Sequence, residues 1–166
     1  MAFRSSLGNY DRRMSVMSNG VASANVLMSE DEARASFAGA RVARLATAGA
    51  DGRPHVAPVA FAVAGDEIVS AVDAKPKRTT RLRRLANVRE NPQVALLADH
   101  YEDDWNALWW ARADGRARVV ERDERAVGLL ADRYEQYRAD PPAGPILVVS
   151  VERWSGWRAR PSGRPS

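Results

Sequence analysis

The sequence predicts a mainly β fold with peripheral helices, in which six strands close or partly close into a barrel. Two observations predict it. Short runs whose apolar residues alternate with period two recur through the middle of the chain, and clusters of Gly, Asp, Asn and Pro separate them. Helical periodicity is confined to a few stretches, and there is no internal repeat.

The bulk properties set bounds. A chain of 166 residues, 45% hydrophobic and 28% charged, suits one domain with a real core. The absence of cysteine excludes disulfides, thiolate catalysis and Cys-ligated metal. His55 and His100 are too few for a histidine-rich metal centre. Apolar stretches such as Pro145–Val151 fall far short of the roughly 20 residues that span a bilayer. The basic N-terminus (Arg4, Arg12, Arg13) lacks the apolar segment of a signal peptide, so a soluble cytoplasmic protein with no membrane partner is expected. A net charge of +4 and a pI near 9.9 permit an anionic partner without choosing among nucleic acid, membrane surface and phosphorylated small molecule.

Taken in order, residues 1–28 show no periodicity and are expected to be a disordered leader. Ser29 and Glu32 have capping-box spacing, with Asp31 in the first turn, so the domain is expected over 29–158. Arg41–Thr47 is a first strand, and Gly49–Gly52 is turn chemistry. In His55–Val63, residues His55, Ala57, Val59, Phe61 and Val63 share one apolar face, while Pro54 and Pro58 mark an edge. Gly65-Asp66 turns the chain into Glu67–Val72. A helix fits Pro76–Glu90 and stops at Asn91-Pro92. Strands follow at Gln93–Asp99 and Leu108–Glu121, then a helix over about Asp123–Arg138 and a last strand, Ile146–Arg153. The tail 159–166 is rich in Pro, Gly, Ser and Arg, and is expected to be flexible.

One segment breaks local rules. Between Lys75 and Asn91 stand seven cations (Lys75, Lys77, Arg78, Arg81, Arg83, Arg84, Arg89) and one acid, Glu90. On a helical wheel Leu82, Leu85 and Ala86 form a narrow apolar stripe, with Lys77, Arg81 and Arg84 opposite and Asn87 beside them. Like charges at this spacing repel, and cations near a helix N-terminus oppose the macrodipole. A bound phosphate resolves the conflict, each charge-assisted hydrogen bond contributing about 1.5–3 kcal/mol. The plainer alternative is a solvated basic face.

Elsewhere the chemistry is sparse. Asp99, Glu102, Asp103 and Asp104 lack EF-hand spacing, and no metal is expected. Trp109 and Trp110 must point to opposite faces of their strand, so one can fill the core while the other lines a pocket or interface. Neither His55 nor His100 is favoured as a catalytic residue.

The run Arg44-Leu45-Ala46-Thr47, with Asp51-Gly52-Arg53-Pro54-His55-Val56 and Pro58-Val59, resembles the first hairpin of the pyridoxamine 5′-phosphate oxidase-like split β-barrel family. Asn87-Val88-Arg89-Glu90-Asn91-Pro92 and the strand Val94-Ala95-Leu96-Leu97 continue the resemblance in order. Asp99-His100-Tyr101, Asp103-Asp104-Trp105 and Leu108-Trp109-Trp110 are similar to an actinobacterial branch that uses the deazaflavin coenzyme F420.

The resemblance implies a six-stranded, FMN-binding-like split barrel. It also implies a homodimer with two coenzyme sites at the subunit interface. Lys75, Lys77, Arg78, Arg84 and Asn87 become phosphate or coenzyme-tail contacts, and Val59 and Ser70 contacts to the ring or its side chain. Relatives often place Lys where this chain has Arg84, which leaves open the cation that meets phosphate.

The function expected is hydride transfer between F420 and a small organic substrate, with no side-chain nucleophile required. The alternatives are an FMN flavoprotein on the same fold and a non-catalytic F420 carrier. A nucleic-acid partner is not expected, because the basic helix lacks interleaved aromatics and a DNA-binding motif.

Overall fold

The computed structural model describes residues 26–72 and 80–159, without the side chains of residues 80–82. Eight antiparallel strands form one sheet: β1 (Val26–Leu27), β2 (Ala43–Ala48), β3 (Pro54–Val59), β4 (Ala62–Ala64), β5 (Glu67–Ala71), β6 (Gln93–His100), β7 (Trp109–Val120) and β8 (Ile146–Arg158). Their order is β3-β2-β6-β7-β8-β5-β4, and β1 joins the far end of β8. The two ends of this path, β3 and β4, are separated in sequence by Ala60 and Phe61 alone. Three Cα steps reach about 11 Å at most, so the sheet curls to bring its two ends near each other, though β3 and β4 do not pair. The mainly β fold with peripheral helices is as expected.

Here the single expected strand His55–Val63 becomes two. Phe61 and Ala62 are consecutive and both buried, which no uninterrupted strand allows with one face in the core. Val59 and Phe61 join the barrel interior, whereas Ala62 joins a second apolar cluster beneath the later helices. The corner carries the chain from one to the other.

The first helix, α1 (Glu30–Gly39), starts with the expected capping box: Glu32 N–H donates to Ser29 Oγ at 3.2 Å, and Ser29 N–H to Glu32 Oε2 at 2.9 Å. Its Ala33 and Phe37 enter the barrel, where Phe37 meets Phe61 and Trp154. The fold also reaches beyond the expected limits. Val26 and Leu27 pair with Arg158 and Trp157, Met28 N–H donates to Gly156, and buried Ala159 donates to Leu108.

The long pair β7–β8 carries a bulge. Asp114 faces Arg153 but Gly115 faces Val151, so Glu152 is extra. A Cβ on Gly115 would lie 2.2 Å from the Ser150 carbonyl oxygen, which leaves room for glycine alone.

The expected helix over Asp123–Arg138 is broken. Asp123 caps α3 (Glu124–Arg133), and α4 (Glu135–Ala139) begins after Tyr134, whose backbone is extended. Its hydroxyl bonds backbone groups of Arg41 and Phe61, and α3 ends at this residue.

Candidate functional site

The helix after β5, α2 (Thr80–Glu90), buries Leu85 of the stripe expected of it but not Ala86. Leu85 and Val88 enter the core, but Ala86 is exposed, and the polar residues Arg84 (9% exposed) and Asn87 (6%) are buried beside them. Arg84 was expected opposite the apolar stripe. The correction is physical: α2 lies across β2 and β7 with a face wide enough to cover these residues too. Asn87 Nδ2 donates to Thr47 Oγ1 at 3.0 Å, and Glu90 Oε2 accepts the Ala50 N–H at 2.9 Å. Gly49 makes that close approach possible, since a Cβ there would meet Glu90 Oε2 at 2.8 Å. The second half of α2 is therefore pinned to the β2–β3 hairpin.

The expected phosphate contacts Lys75, Lys77 and Arg78 lie outside the described residues, as does the first turn of the expected helix. Of the helix cations, Arg83 is exposed and Arg89 sits 3.6 Å from Glu121. His55 lies opposite Thr47 in the hairpin, and its Nδ1 is buried with no hydrogen-bond partner among the described residues.

Val59 and Ser70 come together at the β3–β4 corner. Ser70 Oγ donates to the Ala60 carbonyl at 2.8 Å, and Val59 precedes that residue. Both side chains are buried, at 5% exposure each, so contact with a ligand would fall to the neighbouring backbone. They are not beside Asn87. Val59 pairs with Ala43 at one end of β2 and Asn87 holds Thr47 at the other, four residues or about 13 Å away.

Sequence reasoning missed the outward face of β2, β6 and β7. Arg44, Leu97 and Arg112 lie in one cross-strand row there. With Val56, Asp99 and Trp110 they line an open groove of about 500 Å³. Arg44 pairs with Asp99, while Asp114 accepts from Arg112 at 3.1 Å and Arg153 at 2.9 Å. Val56 is 62% exposed and Tyr101 65%. Trp110 lines this groove while Trp109 packs on the core, the division that strand alternation requires. The available signal was alternation itself, which turns every even residue of β2 outward.

Among the described residues, no group of three or more His, Cys, Asp or Glu could hold a metal ion, and no helix is long and apolar enough to cross a membrane. The donor chemistry fits a planar, phosphorylated organic group. It includes an aromatic-walled groove with guanidiniums, a covered Arg84, an imidazole nitrogen with no hydrogen-bond partner among the described residues, and an edge strand that pairs on one side in the described sheet.

A curled antiparallel sheet whose end strands are two halves of one bent segment, plugged by helices, defines a split β-barrel. Residues 29–158 match the pyridoxamine 5′-phosphate oxidase family, and the chain belongs to it. Among solved structures it is similar to an FAD-binding protein from Mesorhizobium loti (TM-score 0.64, 19% identity, covering 82% of this chain and 99% of that one). It is also similar to a conserved hypothetical protein from Mycobacterium tuberculosis (0.61, 26%, 84% and 90%). A third is the FAD-binding protein from Mycobacterium smegmatis (0.55, 22%, 81% and 97%). No curated protein matches the chain.

Proposed function

We propose that this protein is a cytoplasmic oxidoreductase that binds a phosphorylated tricyclic coenzyme as a homodimer. The observation that carries the reading is the buried polar edge of α2, Arg84 and Asn87, in a chain of this family. Val59 and Ser70 shape the β3 backbone against which the ring rests. Arg84, with Lys75, Lys77 and Arg78, neutralises the phosphate. When bound, the coenzyme supplies hydride or electron transfer to a small organic substrate, and the chain orients it and excludes water.

A flavin such as FMN is the first reading, because two of the similar structures are named FAD-binding proteins. The deazaflavin F420 is the second, favoured by the stretch Asp99–Trp110 and by a cation surplus suited to an oligoglutamate tail. Homodimerisation draws on the outward groove, whose exposed Val56 and Leu97 lie among paired charges of both signs. Apolar surface rimmed by charge suits an isologous interface.

Titration with FMN, FAD and F420, read by fluorescence and followed by turnover with a substrate panel, tests the reading. Micromolar binding of a flavin alone selects the flavoprotein. Tight binding of F420 alone selects the deazaflavin enzyme, or a carrier if no substrate is reduced. Binding of none of the three refutes the proposal.

A further inference from the structure

Side chains, not the sheet, hold the corner between β3 and β4. Ser70 Oγ takes the Ala60 carbonyl. One residue on, the Phe61 N–H donates to Tyr134 Oη at 3.0 Å. That hydroxyl lies 2.9 Å from the Phe61 carbonyl and 2.8 Å from the Arg41 carbonyl. A phenol has one proton, so it donates to one of these carbonyls while accepting from Phe61. Tyr134 is 8% exposed. The Arg41 guanidinium lies 5.0 Å from its ring centre and that of Arg133 5.7 Å, while Arg133 also covers the Phe61 ring at 4.9 Å.

This arrangement has a local cost. Tyr134 leaves helical geometry, and α4 starts without a side-chain cap. A phenylalanine would fill the same apolar space against Leu130 and Ile146. What the hydroxyl adds is a fixed peptide at Phe61. That peptide adjoins the end of an edge strand, where backbone groups on one side have no partner in the sheet.

We propose that Tyr134 is a positioning residue for the coenzyme: by fixing the Phe61 peptide, it sets the course of the backbone at Val59 and Ala60 on which the ring rests. The inference rests on the coenzyme reading given above. It adds a residue from a different element, far along the chain from β3, to that site.

Tyr134→Phe keeps the ring, its packing and the two guanidinium–ring contacts, and removes the hydroxyl together with its bonds from the Phe61 N–H, to a carbonyl and from Arg133 Nε at 3.3 Å. Ile146→Val, fully buried in the same apolar cluster, supplies a loss of stability that leaves the hydrogen bonds at the corner in place. Both variants and the unsubstituted protein are titrated with FMN, FAD and F420 well below their unfolding midpoints. The circular dichroism induced in the bound chromophore is then recorded at saturation.

Tyr134→Phe is expected to weaken binding of whichever coenzyme is taken by about tenfold, because backbone freed from the hydroxyl must be ordered again on binding. It is also expected to alter the induced band, while Ile146→Val changes neither. Unchanged affinity with a superimposable induced band in Tyr134→Phe overturns the role of Tyr134. So does an equal effect in Ile146→Val. If the unsubstituted protein binds none of the three, the coenzyme reading fails and this inference falls with it.

Discussion

Replacing Asn87 by alanine tests how α2 is seated. The substitution removes the 3.0 Å bond to Thr47 and leaves the Thr47 hydroxyl, 4% exposed, without that donor. A neutral hydrogen bond contributes about 1 kcal/mol net, and stranding a buried partner raises the loss to roughly 2 kcal/mol. For a domain of this size each kcal/mol shifts Tm by about 3–5 °C, so Asn87→Ala should melt some 6–10 °C lower. Thermal and urea unfolding of Asn87→Ala, Thr47→Val and the double variant then measure the coupling. The double variant should be about 1 kcal/mol more stable than the sum of the single losses requires. Losses that add within about 0.5 kcal/mol would show that the two side chains do not depend on each other, and the seating argument would fail.

Three further outcomes are expected. Arg84→Ala should weaken coenzyme binding by about 10- to 100-fold and also lower Tm, because Arg84 is buried, whereas Arg83→Ala at an exposed position should do neither; matching titration and melting curves for the two variants would contradict this. Gly115→Ala should cost about 2–4 kcal/mol in urea unfolding, since its methyl would meet the Ser150 carbonyl at the bulge. Glu32 is held below its usual 4.5, first by the Ser29 N–H and then by the charge of Arg158. A depressed carboxylate contributes stability above its unfolded pKa and loses it as pH falls through the folded one, so Glu32→Gln should flatten the fall in Tm between about pH 5 and pH 3.

Much of the fold was legible because local chemistry and tertiary structure agree. The capping box at Ser29 starts α1, and Gly52 (φ 71°) and Gly65 (φ 62°) sit in turns where positive φ is needed. Alternation along β2, β6 and β7 separates inward from outward residues. The β3–β4 corner was not legible, because Ala60-Phe61-Ala62 holds no turn residue and its bend is imposed from outside by Ser70 and Tyr134. Nor did hydrophobicity reveal the packed face of α2, since a helical wheel assigns Arg84 and Asn87 to solvent and only a partner such as Thr47 can reverse that. Val59 and Ser70 converge because register with β2 and the bond to Ala60 join them, a long-range outcome that spacing does not encode.

The place of β8 in the strand order has a consequence for how the molecule is made. Without it, among the described residues, the order β3-β2-β6-β7-β8-β5-β4 separates into two ladders, β3-β2-β6-β7 and β5-β4, that no strand pairing joins, and β1 loses the strand it pairs with. The keystone of the barrel is thus the last of the described strands, Ile146–Arg158. A growing polypeptide must wait for it with the apolar sides of both ladders uncovered, a high-contact-order route that is slow and prone to aggregation. Truncation within β8 should therefore abolish the native state altogether, and not merely fray one edge.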